Sequence, residues 1–216
     1  MLELTGREPL PELLNLVLEK VPLGDRPATV ARPGDWQALR EAEAAIDLDA
    51  PYWAIIWPSG EALAEEVALH PPAPGARVLE LGCGLALPSL AAARAGARVL
   101  ATDASPEAVA FAAHTLALGE QLGDVAVVDW REPRALFEHG PWDLVLAADV
   151  LYLQRNVRVL QDLLPKLVAP GAEAWLADPG RAGAEELLAW APQHFEVSSR
   201  SAPRHEPVTI HRLRPR

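Results

Sequence analysis

The chain has 216 residues, half of them hydrophobic and 23% charged, which suits one packed globular domain. Its single cysteine, Cys83, excludes an internal disulfide and a multi-thiolate metal site, and its six histidines show no metal-ligand spacing, so no metal is expected. The net charge of −11 argues against nucleic acid as a partner, and the absence of a long apolar run or a leader-like start argues against a membrane and for the cytoplasm.

Leucines from Leu10 to Leu18 fall at helical spacing and predict a first helix. Pro22, Gly24, Pro27, Pro33 and Gly34 interrupt the chain, and Asp35 is placed to cap a second helix reaching about Ala45. Residues 1–50 are therefore expected to form an N-terminal helical extension packed on a main domain of residues 51–216. Ser59 can cap a helix through about Leu69, which Pro71, Pro72 and Pro74 end. Arg77–Leu81 is a short apolar strand, followed by a glycine loop and an alanine-rich helix that Gly96 stops. Arg98–Thr102 is a second strand, and Ser105-Pro106-Glu107 opens the next helix, with proline in the first turn. Val125–Val128 and Trp142–Ala148 read as strands three and four. A helix then runs to about Val168, and Glu173–Ala177 is the fifth strand. After a helix over Gly183–Trp190, Phe195–Ser199 and Val208–Leu213 complete the set. Strands alternating with helices of similar length predict an α/β fold. It is a Rossmann-like, doubly wound, mostly parallel seven-stranded sheet with helices on both faces.

Glu80-Leu81-Gly82-Cys83-Gly84-Leu85-Ala86-Leu87-Pro88 lies between the first of these strands and its helix. Glycines there make a tight turn and let backbone approach a ligand. Asp103 follows Gly84 by 19 residues, at the end of the next strand, where a carboxylate can accept from both hydroxyls of a ribose. These features fit a dinucleotide or S-adenosylmethionine. A dinucleotide fingerprint would put a third glycine where Leu87 stands, so Leu87 suits a ligand without a pyrophosphate. A glycine turn that binds nothing is the plainer alternative. Cys83 reads as a small loop residue, because no histidine is placed to activate it.

Three further stretches stand out. Pro51-Tyr52-Trp53-Ala54-Ile55-Ile56-Trp57-Pro58-Ser59-Gly60 is dense in aromatics, either a cover over the sheet or a pocket wall with Trp57 and Gly60 near the ligand. Asp129-Trp130 ends the third strand, with Trp130 on the ligand or in the core. Ala147-Ala148-Asp149-Val150-Leu151-Tyr152 ends the fourth, with Asp149 at its carboxyl edge as a helix cap or a catalytic group.

Together these motifs resemble the class I, seven-strand S-adenosylmethionine-dependent methyltransferases, within them the protein-lysine methyltransferases. The glycine loop departs from that family's usual pattern at Ala86, where a third glycine is customary. Asp178-Pro179-Gly180-Arg181 is most similar to the methyltransferase of the electron-transfer flavoprotein β-subunit. The resemblance covers roughly residues 51–213. It implies a cofactor, S-adenosyl-L-methionine, held by Gly82, Gly84 and Asp103, with Trp130 beside the adenine and Trp57 and Gly60 near the methionine end. Glu80 and Ala148, in the same motifs, join that cofactor set. Asp149 and Tyr152 then face the incoming amine as the catalytic pair, and Asp178 and Arg181 belong to the substrate side, Arg181 either binding a substrate group or pairing with a carboxylate. The expected reaction is methyl transfer to a lysine of a partner protein. A nicotinamide-like small molecule is the alternative acceptor, and a non-enzymatic binding module is the third possibility.

Overall fold

The first described segment departs from the helix expected of its leucines. A computed structural model describes residues 15–44, 50–121 and 123–216. Within it Leu16–Val21 is a strand, β1, paired antiparallel with β2 (Ala28–Pro33) from Leu16↔Pro33 to Val21↔Ala28. The helix expected over Leu10–Leu18 is thus corrected at Asn15–Leu18, and residues 10–14 lie outside the described residues. The cause is tertiary. Ala28, Val30 and Ala31 of β2 are fully buried, and the Ala31 N–H donates to the buried Thr115 Oγ1 at 3.2 Å. The guanidinium of Arg94 donates to the carbonyls of Arg26 and Pro27 and holds the turn. A strand so anchored offers β1 a full ladder, whereas Leu16 and Leu18 gain little from burial at 48% and 52% exposure. The second predicted helix is present as α1 (Trp36–Ala44), and Asp35 Oδ1 accepts the Ala38 N–H at its start. The described extension is therefore a β-hairpin followed by one helix.

The main sheet comprises β3 (Arg77–Leu81), β4 (Arg98–Asp103), β5 (Asp124–Val127), β6 (Trp142–Ala148), β7 (Val168–Asp178), β8 (Phe195–Ser201) and β9 (Thr209–Pro215). Its order is β5-β4-β3-β6-β7-β9-β8. All pairs are parallel except those of β9, which runs antiparallel between β7 and β8. The helices are α2 (Pro58–Leu69), α3 (Leu87–Arg94), α4 (Pro106–Leu118), α5 (Arg134–Glu138), α6 (Gln154–Leu167) and α7 (Ala182–Trp190). They divide between the faces. Leu63, Val67, Leu90 and Phe111 pack with Val78, Leu144 and Leu146 on one side. Leu136, Leu160, Leu164 and Leu187 pack with Leu79, Leu81 and Val145 on the other. Alternate residues of each strand thus enter opposite cores, which is why these strands read as unbroken apolar runs. Each fully buried leucine contributes about 1.5–3 kcal/mol.

From β3 the chain winds outward through β4 and β5, then returns to lay β6 on the other side of β3. This reversal opens a crevice at the carboxyl ends of the strands. β7 begins earlier than its sequence suggests: Val168 pairs with Trp142 and Glu173 with Leu144, so Pro170-Gly171 is accommodated as an irregularity. Among the described residues no helix is long and apolar enough to cross a membrane.

Candidate active site at the carboxyl edge

Five neighbouring strand ends supply the crevice. In spatial order they bring Trp130 after β5, Asp103 ending β4, the glycine loop after β3, Asp149 after β6, and Asp178 ending β7. Residues scattered over a hundred positions are adjacent because parallel strands start new helices from the same edge.

The glycine loop is bound to Asp103. Gly84 N donates to Asp103 Oδ2 at 3.0 Å, Ser105 N donates to Oδ1 at 3.0 Å, and Cys83 N donates to the Thr102 carbonyl. Burial pushes the Asp103 carboxyl above its ordinary range, opposed by the N–H groups of Ser105, Gly84 and Ala104. Each oxygen keeps a further lone pair for a ligand hydroxyl. Two glycines are required sterically. At Gly82, φ is +67° and a Cβ would lie 3.0 Å from Val150 Cγ1 and 3.4 Å from the Trp130 ring. At Gly84, φ is +49° and a Cβ would lie 3.1 Å from the Trp53 carbonyl. Trp130 therefore lies beside the loop's first glycine, and the front segment lies over its second. Ala86 also adopts a left-handed φ of 60°, so the position where glycine is customary keeps a glycine-like backbone.

Glu80 works from beneath. It is 1% exposed, and its Oε2 accepts both the N–H and the hydroxyl of Ser89 in the first turn of α3. Burial raises its carboxyl to about 8, against those two hydrogen bonds. Its position supports the helix that follows the loop, and the carboxyl does not stand on the crevice surface. Cys83 is buried, and burial together with Asp103 and Glu80 holds its thiol well above the usual range, the opposite of an activated nucleophile.

The second cluster is built around Asp149, which follows β6 with φ of 56° and a side chain only 9% exposed. Its N–H donates to the Ala177 carbonyl, tying this loop to β7. Arg181 Nε donates to Asp149 Oδ1. Of the two roles the sequence left open for Arg181, the structure shows the carboxylate pair. Asp178 Oδ1 accepts the N–H groups of Gly180 and Arg181 at 2.8 and 2.7 Å, while its Oδ2 is buried without a partner. The Arg181 guanidinium carbon stands 5.9 Å from the Tyr152 ring centre. Ala148 is half-buried against the first core, one residue before Asp149.

The two clusters meet through aromatics. Tyr52 packs edge-on against Tyr152 with ring centres 5.7 Å apart, and lies 6.1 Å from Trp57, whose Nε1 donates to the Tyr52 carbonyl at 2.7 Å. Gly60, in the first turn of α2, faces open space: a Cβ there would meet nothing within 4 Å. Tyr52 and Gly183 were not singled out from the sequence. Tyr52 was legible within the aromatic segment. Gly183 was not, since nothing nearby shows that its Cβ would fall 2.3 Å from the Leu151 carbonyl.

The geometry has counterparts among known proteins. A family model described as lysine methyltransferase matches residues 50–186. The electron transfer flavoprotein beta subunit lysine methyltransferase of Xenopus laevis is 35% identical over 136 residues, covering 61% of this chain and 54% of that protein. The Danio rerio protein of that name is 34% identical over 140 residues, covering 63% and 53%. The chain spans about half the length of these curated relatives. Among solved structures, the T. thermophilus 16S rRNA N2 G1207 methyltransferase, in complex with AdoMet and guanosine, shares the fold. Its TM-score is 0.68 at 18% identity, over 97% of this chain and 52% of that one.

Proposed function

The chain belongs to the lysine methyltransferase family, and from that premise we propose that it transfers a methyl group from S-adenosylmethionine to a lysine of a partner protein. The first substrate to test is the β-subunit of electron-transfer flavoprotein, on the strength of the relatives' names. The observation that carries the reading is the pairing of two clusters across the sheet's switch point. The glycine loop with Asp103 lies on one side, and Asp149 with Tyr152 on the other.

The residues present fit the cofactor. Gly82 and Gly84 leave room that side chains would fill, and Asp103 is a half-buried acceptor already oriented by two N–H groups. Asp103 is assigned to the ribose, Trp130 to the adenine, and Trp57 and Gly60 to the methionine end. When bound, S-adenosylmethionine offers a methyl carbon whose bond to sulfur breaks as the bond to nitrogen forms, the electron pair passing to sulfur. The protein's part is to present a lysine nitrogen with its lone pair free. Lysine ordinarily titrates near about 10.4, so its proton must first leave to water. Asp149 and Tyr152 orient the amine by proximity. Tyr52 and Tyr152, each 45% exposed, form an accessible rim that suits a side chain projecting from a folded protein better than an enclosed metabolite.

Two variants separate the roles. Asp103→Ala removes a charged acceptor worth roughly 1.5–3 kcal/mol per hydrogen bond and is expected to weaken S-adenosylhomocysteine binding at least tenfold by calorimetry. Asp149→Asn is expected to leave that affinity within a few-fold while cutting methylation of the β-subunit by about 10²-fold, read by mass spectrometry. Unchanged affinity in the first variant would place the cofactor elsewhere. An unchanged rate in the second would remove Asp149 from the reaction.

A further inference from the structure

A bare carboxylate is a poor neighbour for an amine that must react as a neutral nucleophile. An opposite charge within a few ångströms stabilises the ammonium form, so Asp149 alone would hold the proton that has to leave. The structure does not present Asp149 alone. Its Oδ1 is occupied by Arg181 Nε, and its other oxygen retains acceptor sites for a second donor.

We propose that Arg181 is a positioning residue that neutralises Asp149, so that the pair accepts a hydrogen bond from the incoming lysine nitrogen without trapping it as an ammonium ion. This assignment rests on the methyl-transfer reading above and concerns how that site handles protons.

Three features set Arg181 apart from a surface arginine that happens to meet an acid. Its backbone N–H and that of Gly180 are both held by Asp178 Oδ1, and Gly180 takes a φ of +93° that few other residues adopt. Gly183, two residues after Arg181, packs against the Leu151 carbonyl, so the start of α7 and the Asp149–Tyr152 loop are fixed to one another. The guanidinium lies beside the Tyr152 ring, which limits where it can swing. Arginine is also the appropriate cation, because it never releases its own proton to the reaction. Its contact with Asp149 reinforces that charge further.

Among the described residues, two tyrosines and a second carboxylate, Asp178, flank the pair. Tyr152 and Tyr52 stand at the rim. Asp178 is 1% exposed and committed through Oδ1 to the backbone of the arginine's own loop, and His211 of β9 senses it from behind. An amine at Asp149 therefore meets a paired carboxylate. The proton it sheds goes to solvent, and the pair is unchanged after transfer.

The test uses n-butylamine as the acceptor probe on the full chain saturated with S-adenosylhomocysteine, its binding followed by NMR from about pH 7 to 9.5. For the native protein, affinity for total amine should rise with pH, approaching tenfold per unit, because the neutral form is preferred. Arg181→Gln exposes the carboxylate, so binding at pH 7 should tighten several-fold and stop rising with pH. Arg181→Lys should restore the native slope. Superimposable profiles for the native and Gln proteins, or no amine binding by either, would overturn the proposal. On the β-subunit, Arg181→Gln should move the pH profile of kcat/KM to more alkaline values by about one unit. If the native enzyme leaves that subunit unmethylated, the substrate reading fails while the amine titration still decides the role of Arg181.

Discussion

Glu80 shows how a single buried acid can write a pH dependence into the fold. Its folded-state carboxyl lies at about 8 against an ordinary 4.5, with burial as the main cause. Between those values the folded chain holds a proton that the unfolded chain releases. The contribution to stability is therefore complete below about 4.5 and is lost as pH rises through about 8, at a slope of up to about 1.4 kcal/mol per pH unit. Glu80→Gln keeps an acceptor for Ser89 and cannot ionise. Its melting temperature should be flatter than that of the native protein over this window and higher at the alkaline end, by calorimetry at several pH values. Parallel curves would show that the carboxyl titrates normally. At this scale the sequence made legible the residues whose proximity is fixed by spacing along the chain. Gly82, Gly84 and Asp103 are one loop and the next strand end, and the structure joins them by the Gly84–Asp103 hydrogen bond. It did not reveal that Arg181 meets Asp149, because 32 residues and a whole strand and helix separate them. Nor did it reveal that Glu80, expected with its motif neighbours in the cofactor set, turns its side chain inward to Ser89.

Elements held by close approach are the most vulnerable to small changes. A Cβ at Gly183 would lie 2.3 Å from the Leu151 carbonyl oxygen and 2.8 Å from Val157 Cγ2, so Gly183→Ala must push α7 away from the loop carrying Asp149 and Tyr152. The expected destabilisation is about 1–3 kcal/mol, read by denaturant unfolding. Methyl transfer should fall further than S-adenosylhomocysteine binding, since Asp103 and the glycine loop lie on other strands. Native stability in this variant would mean that the helix start is loosely seated. The same scale explains which elements could be read in advance. β3 and β6 were placed from their apolar runs because both faces are buried and glycine or aspartate ends them. β1 was misread because leucine spacing is a local signal. Its ladder comes from β2, which is anchored by Thr115 far along the chain. The early start of β7 was hidden by Pro170-Gly171, which terminates most strands and here is bypassed by a register shift.

At the scale of the whole molecule, the sheet divides the buried side chains into two cores, one on each face. One edge depends on strand order. β9 is paired on one side to β7 and on the other to β8, from Phe195↔Pro215 to Ser201↔Thr209. Removing residues 209–216 would leave β8 without a neighbour and expose the ladder of β7, a template for intermolecular pairing. The truncated protein should sediment as aggregates, and a soluble monomer with native circular dichroism would show that the parallel strands close by themselves. Synthesis of the chain adds a constraint in time. The strand that fills the gap is made after both strands it joins, so a nascent chain on the ribosome can assemble β3 to β7 while β8 waits outside the sheet. Chaperone occupancy would then persist until the final strand clears the exit tunnel.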